Sequence, residues 1–280
     1  MEKTNQKSVI KHGWIRAIAI FIPWLISYGS FSSLGYLLTQ KMKVSQEYSL
    51  IIPQLFGLMG TFLITWVFVK FIDRKSFYTL GFIKKRMGKD IFLGITVGFV
   101  MMAVGFYILK YFGQINVENI QVNYLKIAIG IILFIVVAFN EELILRGYML
   151  NNFMDSMPRY WALLVSSLIF GALHLGNANI DAIGLSNIIL AGFLLGVSYT
   201  YTKSLWFPIA LHFSWNFFQG TIFGYAVSGN ETYSLIKQSR TADTIWNGGK
   251  FGFEASVTAI IFLLVFIFLI AKYYANQAKK

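Results

Sequence analysis

The sequence contains no cysteine. That absence excludes disulfides, thiolate nucleophiles and every metal site built on sulfur. Histidine is nearly as scarce, with only His12, His174 and His212. Charge is thin as well, since Asp, Glu, Lys and Arg together make up 13% of the 280 residues. Set against 56% hydrophobic and 18% aromatic residues and a mean hydropathy of +0.61, so little charge excludes an ordinary water-soluble domain. No His-Glu-x-x-His, Gly-x-Ser-x-Gly or Gly-x-Gly-Asp occurs, and there is no phosphate-binding or dinucleotide-binding glycine loop. No internal repeat, low-complexity tract or linker sets off a soluble part, so residues 1–280 read as one transmembrane domain.

What is present is a series of apolar runs near the 20 or so residues that span a bilayer. They fall at about 15–38, 50–72, 91–109, 122–145, 160–176, 182–201, 205–224 and 254–272, an all-α polytopic protein of about eight transmembrane helices. The first run lacks a small-residue cleavage site and reads as a retained helix. Alternate connections carry unequal positive charge: sixteen Lys and Arg on the side of both termini, including seven in the loop 70–90, against seven on the other. That imbalance places the N- and C-termini in the cytoplasm. Trp14, Trp161 and Trp206 fall at cytoplasmic span ends, as an interfacial belt requires. The net charge of +12 is therefore a topology signal, with the lipid bilayer as partner and no nucleic acid. The loop 73–90 reads as a basic segment lying on the inner membrane surface. The outer stretch 225–253, polar and glycine-rich, reads as a flexible loop.

Against this background Phe139-Asn140-Glu141-Glu142-Leu143-Ile144-Leu145-Arg146-Gly147 stands out. Ten of the twelve acids lie in loops, tails or at span ends, whereas Glu141 and Glu142 lie in the body of an apolar segment. Charge at that depth is costly and marks interior, functional positions. Glu142 and Arg146 are spaced i,i+4, the geometry of an intrahelical ion pair. Glu141 is turned away by about 100° and is left without a partner on its own helix, as suits a general base. A neutralised cluster that only fixes helix packing is the competing reading. To join these residues to others at depth, the fourth helix must run on past Arg146 to about Asp155.

Two more polar sites interrupt the apolar spans. Phe170-x-x-x-His174 places a ring one turn before an imidazole, with Gly171 and Ala172 allowing close helix approach. His212-x-x-x-Asn216 puts an imidazole and an amide on one helix face, and Pro208, a turn earlier, is expected to bend that face toward a cavity. Singly, His174 reads more readily as a packing or hydrogen-bonding residue, and the His212–Asn216 pair equally well as an interhelical hydrogen-bonding element. Together, a carboxylate, two imidazoles and an amide on neighbouring spans can activate water and stabilise an oxyanion. The same donors can also hold zinc.

Glu141-Glu142-x-x-x-Arg146, Phe170-x-x-x-His174 and His212-x-x-x-Asn216, complete and in this order, resemble the CPBP (CAAX protease and bacteriocin-processing, Abi) family of intramembrane proteases, which includes the Ras-converting CAAX prenyl endopeptidases. The motifs cover 141–216, with topology alone supporting the resemblance elsewhere. The resemblance implies an endopeptidase in which Glu141 activates water, His174, His212 and Asn216 complete the site, and Glu142, Arg146 and Phe170 support it. It leaves two mechanisms open: a metalloprotease with zinc on His174, His212 and Glu141, and a metal-independent glutamate. It implies a membrane-associated peptide or protein substrate and, for a lysine-rich, cysteine-free chain, a bacterial plasma membrane. A non-catalytic member acting as a bacteriocin-immunity or regulatory scaffold is the alternative. A proton-coupled transporter is a third reading, disfavoured by the lack of repeats.

Overall fold

The computed structural model describes residues 7–279, leaving aside the side chains at 46 and 47. Lys3 and Lys280, counted above for topology, lie outside the described residues. In chain order the apolar helices are α1 Gly13–Lys41, α2 Ile51–Ile72, α3 Lys84–Tyr111, α4 Tyr124–Met154, α5 Arg159–Leu173, α6 Ala182–Thr202, α7 Trp206–Asn216 and α8 Val257–Ala278. Helix α7 runs on as a π-helix over Phe217–Ile222. Among the described residues, six of these helices are long and apolar enough to cross a membrane, α5 and α7 being the shorter two. The chain is a multi-pass helical membrane protein.

Small residues set the helix contacts, because backbones in lipid approach closely only where side chains are missing. A Cβ on Gly98 of α3 would stand 2.6 Å from Ser214 Oγ of α7, and one on Gly171 of α5 would stand 2.5 Å from Ile189 of α6. The principal packings follow: α1 on α2, α3 on α7, α6 between α5 and α8, and α7 against α4.

Helix α4 is the axis of the site. It begins at an Asn123 cap, whose side chain accepts from Lys126 N, and continues without interruption to Met154. The expected long fourth helix is thus present. Its register changes over Leu143–Leu150, where it is π-helical. That wider turn, which nothing in the residue pattern signals, is a form that concentrates at functional sites.

Three expectations change. Pro208 lies in the first turn of α7, where the missing N–H costs nothing, so it starts that helix and does not bend its middle. The loop 73–90 does not simply rest on the membrane. It folds into 3₁₀ turns at Phe77–Leu80 and Lys84–Arg86, Leu80 is buried, and the Leu80 carbonyl accepts Tyr199 O–H at 2.9 Å inside the bundle. The stretch 225–253 is not a structureless loop either. It supplies β2 Ile236–Arg240, antiparallel to β1 Ile115–Ile120, and a run of buried turns over the outer end of the bundle.

Candidate functional site

The polar residues of α4 divide as their spacing requires. Glu142 and Arg146 are fully buried, and Arg146 Nη1 donates to Glu142 Oε1 at 2.8 Å. Arg146 also donates through Nη2 to the Gly192 carbonyl of α6 at 3.1 Å, and its guanidinium lies 4.5 Å from the Phe170 ring centre. A buried ion pair needs this kind of additional satisfaction to offset its desolvation.

The same Glu142 oxygen is 2.8 Å from His212 Nδ1 on α7. A carboxylate only accepts, so His212 carries its proton on Nδ1 and turns Nε2 to the other side. His174, the residue that caps the end of α5, is held in the same way, with Nδ1 2.8 Å from the Phe170 carbonyl. Both imidazoles therefore have Nδ1 engaged by the protein and Nε2 free for something else. One ring joins them: Phe170 lies 4.7 Å from His174 and 6.2 Å, edge to face, from His212.

Glu141 is treated differently. Its Oε2 is buried and accepts no hydrogen bond. The residue before it is locked, because Asn140 Oδ1 accepts from Thr61, which in turn accepts from Trp24 Nε1 at 2.9 Å. Glu141, His174, His212 and Asn216 line one cavity of about 610 Å³ enclosed by α1, α4, α5, α6 and α7. The Asn216 amide, 6% exposed, makes no hydrogen bond there among the described residues. Glu142 and Arg146 stand behind the wall rather than on it.

Some lining residues carry no signal in the sequence. Glu254, counted among the span-end acids, is buried in a 3₁₀ turn just before α8 and faces the cavity. Its Oε2 accepts from Ser228 N at 2.7 Å and Ser228 Oγ at 2.9 Å, and its Oε1 from Trp215 Nε1 at 3.3 Å. Burial pushes its carboxyl above the usual carboxylate range, against the opposing pull of the Ser228 hydrogen bonds and of nearby His174. Asn187 of α6 ties this turn down, donating to the Glu254 and Ser256 carbonyls at 2.7 and 2.8 Å. Asp73 and Asp90 are also buried, which the loop and span-end positions of those acids did not suggest.

Among the described residues no three His, Asp or Glu side chains converge as a group that could hold a metal ion.

Residues 123–218 match the family model of type II CAAX prenyl endopeptidases, Rce1-like. The matched segment runs from the cap of α4 to just past Asn216 and contains all three motifs, while α1, α2, α3, Glu254 and α8 lie outside it. Of the curated proteins compared with the chain, none matches.

Proposed function

We propose that this multi-pass membrane protein is an intramembrane endopeptidase that hydrolyses a peptide bond of a membrane-associated peptide or protein, in a bacterial plasma membrane. The match of 123–218 to a protease family supports the general class. The observation that carries the assignment of roles is the contrast between two neighbouring carboxylates. Glu142 engages both Arg146 and His212 through Oε1 and stands off the cavity wall, whereas Glu141, with no hydrogen bond among the described residues, lines the cavity.

In the proposed reaction a water molecule sits between Glu141 and His174 Nε2. Glu141 takes one proton from it as the oxygen attacks the scissile carbonyl carbon, and His174 Nε2 accepts a hydrogen bond from the remaining O–H. The carbonyl π electrons move onto oxygen. Asn216 Nδ2–H and, in the imidazolium form, His212 Nε2–H donate to that oxyanion. Collapse expels the amide nitrogen, which receives the proton held by Glu141, giving one carboxylic acid and one amine. Glu142 serves by fixing the His212 ring, and Arg146 by fixing Glu142 and packing on Phe170.

The test compares membrane peptidomes of cells carrying the wild-type protein and Glu141→Gln at equal expression. Loss of specific membrane-derived peptide termini with the variant is the expected result. An unchanged peptidome together with a retained cellular phenotype would favour a scaffold that binds and does not cut.

A further inference from the structure

The chain is strongly basic, yet its cavity is not. Among the described residues no Lys or Arg lines the cavity, whereas Glu141, Glu231 and Glu254 all do. The only other ionisable side chains on the wall, apart from Tyr28, are His174 and His212. A protein with twice as many bases as acids has gathered three carboxyl groups in one concavity, with no Lys or Arg beside them among the described residues.

The unsatisfied atoms point the same way. Of the lining atoms buried without a hydrogen-bond partner, Glu141 Oε2 and Asn187 Oδ1 can only accept, while the Thr232 hydroxyl at the rim can do either. Asn187 is 1% exposed and lines the same cavity. What completes such a wall is a set of donors: backbone N–H groups and, beside Glu141 and the rim carboxylate Glu231, a cation. The remainder of the lining is mostly Leu, Ile, Val, Phe and Trp, which fits apolar side chains.

The position of the rim is informative too. It is formed by Leu50, Asn177, Ser228, Asn230, Glu231 and Thr232, all in segments connecting helices on one side of the bundle. No residue of 73–90, 155–158 or 203–205, the connections on the other side, takes part. The second side is the lysine-rich one, so by charge asymmetry the cavity opens on the face away from the cytoplasm.

The geometry points to a substrate that is an apolar peptide segment bearing positive charge, entering from the non-cytoplasmic face past Glu231. This rests on the endopeptidase reading for the fate of the peptide, but not for its binding. Electrostatic complementarity of this kind chiefly selects partners and speeds their capture.

Two measurements test it, and neither requires hydrolysis. The absence of cysteine makes single-cysteine labelling clean. With a membrane-impermeant maleimide on intact cells, Asn230→Cys at the rim is expected to react, and Lys85→Cys in the basic loop only after permeabilisation. The reverse pattern overturns the direction of entry. For the charge, the full-length protein in phosphatidylcholine nanodiscs is titrated with three leucine-rich peptides that differ only in carrying Lys, Gln or Glu. The Lys peptide is expected to bind tightest, despite the +12 on the protein. Glu231→Lys is expected to weaken that peptide roughly tenfold, the scale of reversing one charge contact at a hydrated rim, while leaving the Gln peptide unmoved. Equal affinities across the three, or no effect of Glu231→Lys, overturns the cationic substrate. A protein that labels and binds as described but cuts nothing contradicts the endopeptidase reading alone.

Discussion

Two groups of charge packed against helix α4 are handled in opposite ways. At its inner end, near Asn152 and Asp155, Arg16 of α1 is 3% exposed, and each guanidinium nitrogen has a partner. Nη1 donates to the Ile10 and Lys11 carbonyls at 2.8 and 3.1 Å, Nη2 meets Asp155 at 2.9 Å, and Nε lies 2.7 Å from Asp73 and 2.8 Å from Asn152 Oδ1. About two turns earlier, Glu142 Oε1 joins Arg146 and His212 behind the cavity wall, but Glu141 beside them makes no such contact and lines the cavity. The first group closes the inner ends of α1, α2 and α4 on one another. The second combines a fixed frame with one reactive acceptor. Buried charge tied into ion pairs away from the cavity is scaffold, and buried charge facing open space is where chemistry is expected.

The comparison can be broken by substitution. Glu142→Ala should have the largest effect, because it strands Arg146 in the interior and releases the His212 ring together. About 3–5 kcal/mol of stability is expected to go, along with peptide processing, read by thermal unfolding in detergent and by cleavage of a substrate found in the peptidome. Arg16→Ala should cost about 3 kcal/mol by the same unfolding assay, since it takes the guanidinium from buried Asp73 while Asp155 keeps Lys75, yet leave turnover per folded molecule within about twofold. A turnover defect as large as that of Glu142→Ala would erase the distinction between the two groups. Asn216→Ala should cut kcat roughly 10²- to 10³-fold, as expected for losing one oxyanion donor, with stability changed by less than about 0.5 kcal/mol.

The smallest effect concerns Glu254. Its carboxyl is raised in the fold by burial, so the folded chain holds a proton that the unfolded chain has released. Stability attributable to it is therefore fully present below the ordinary glutamate value of 4.5 and falls as pH climbs above it toward the raised value. Glu254→Gln is expected to flatten that limb in unfolding measured across pH. An unchanged pH profile would mean that Glu254 is no more protonated when folded than when unfolded.

The parts that were legible in the sequence are those set by helical periodicity and by the cost of charge in lipid. Glu142 and Arg146 meet because residues four apart share a helix face, and the requirement that Glu141 reach the histidines at depth foretold the length of α4. The π-helical register of Leu143–Leu150 was not legible, because a change of hydrogen-bond step leaves no mark on residue polarity. Nor was Glu254, whose burial is created by Ser228 and Trp215 from other parts of the chain. The glycines of 225–253 misled for a physical reason. At Gly252, φ is +103° and a Cβ would stand 2.1 Å from the Ala226 carbonyl, so the residue permits a tight backbone crossing and not looseness. Pro208 misled similarly, since its effect depends on which turn of the helix it occupies.

The central claim is that Glu141, alone among the buried charges of α4, is there to react and not to hold. Glu141→Gln in the purified protein, followed for both peptide turnover and unfolding temperature, addresses it directly. The account predicts turnover reduced roughly 10²- to 10⁴-fold, as for loss of a general base, with an unfolding temperature equal to or above wild type. Retained turnover, or turnover lost only in step with unfolding as in a scaffold residue, would contradict it.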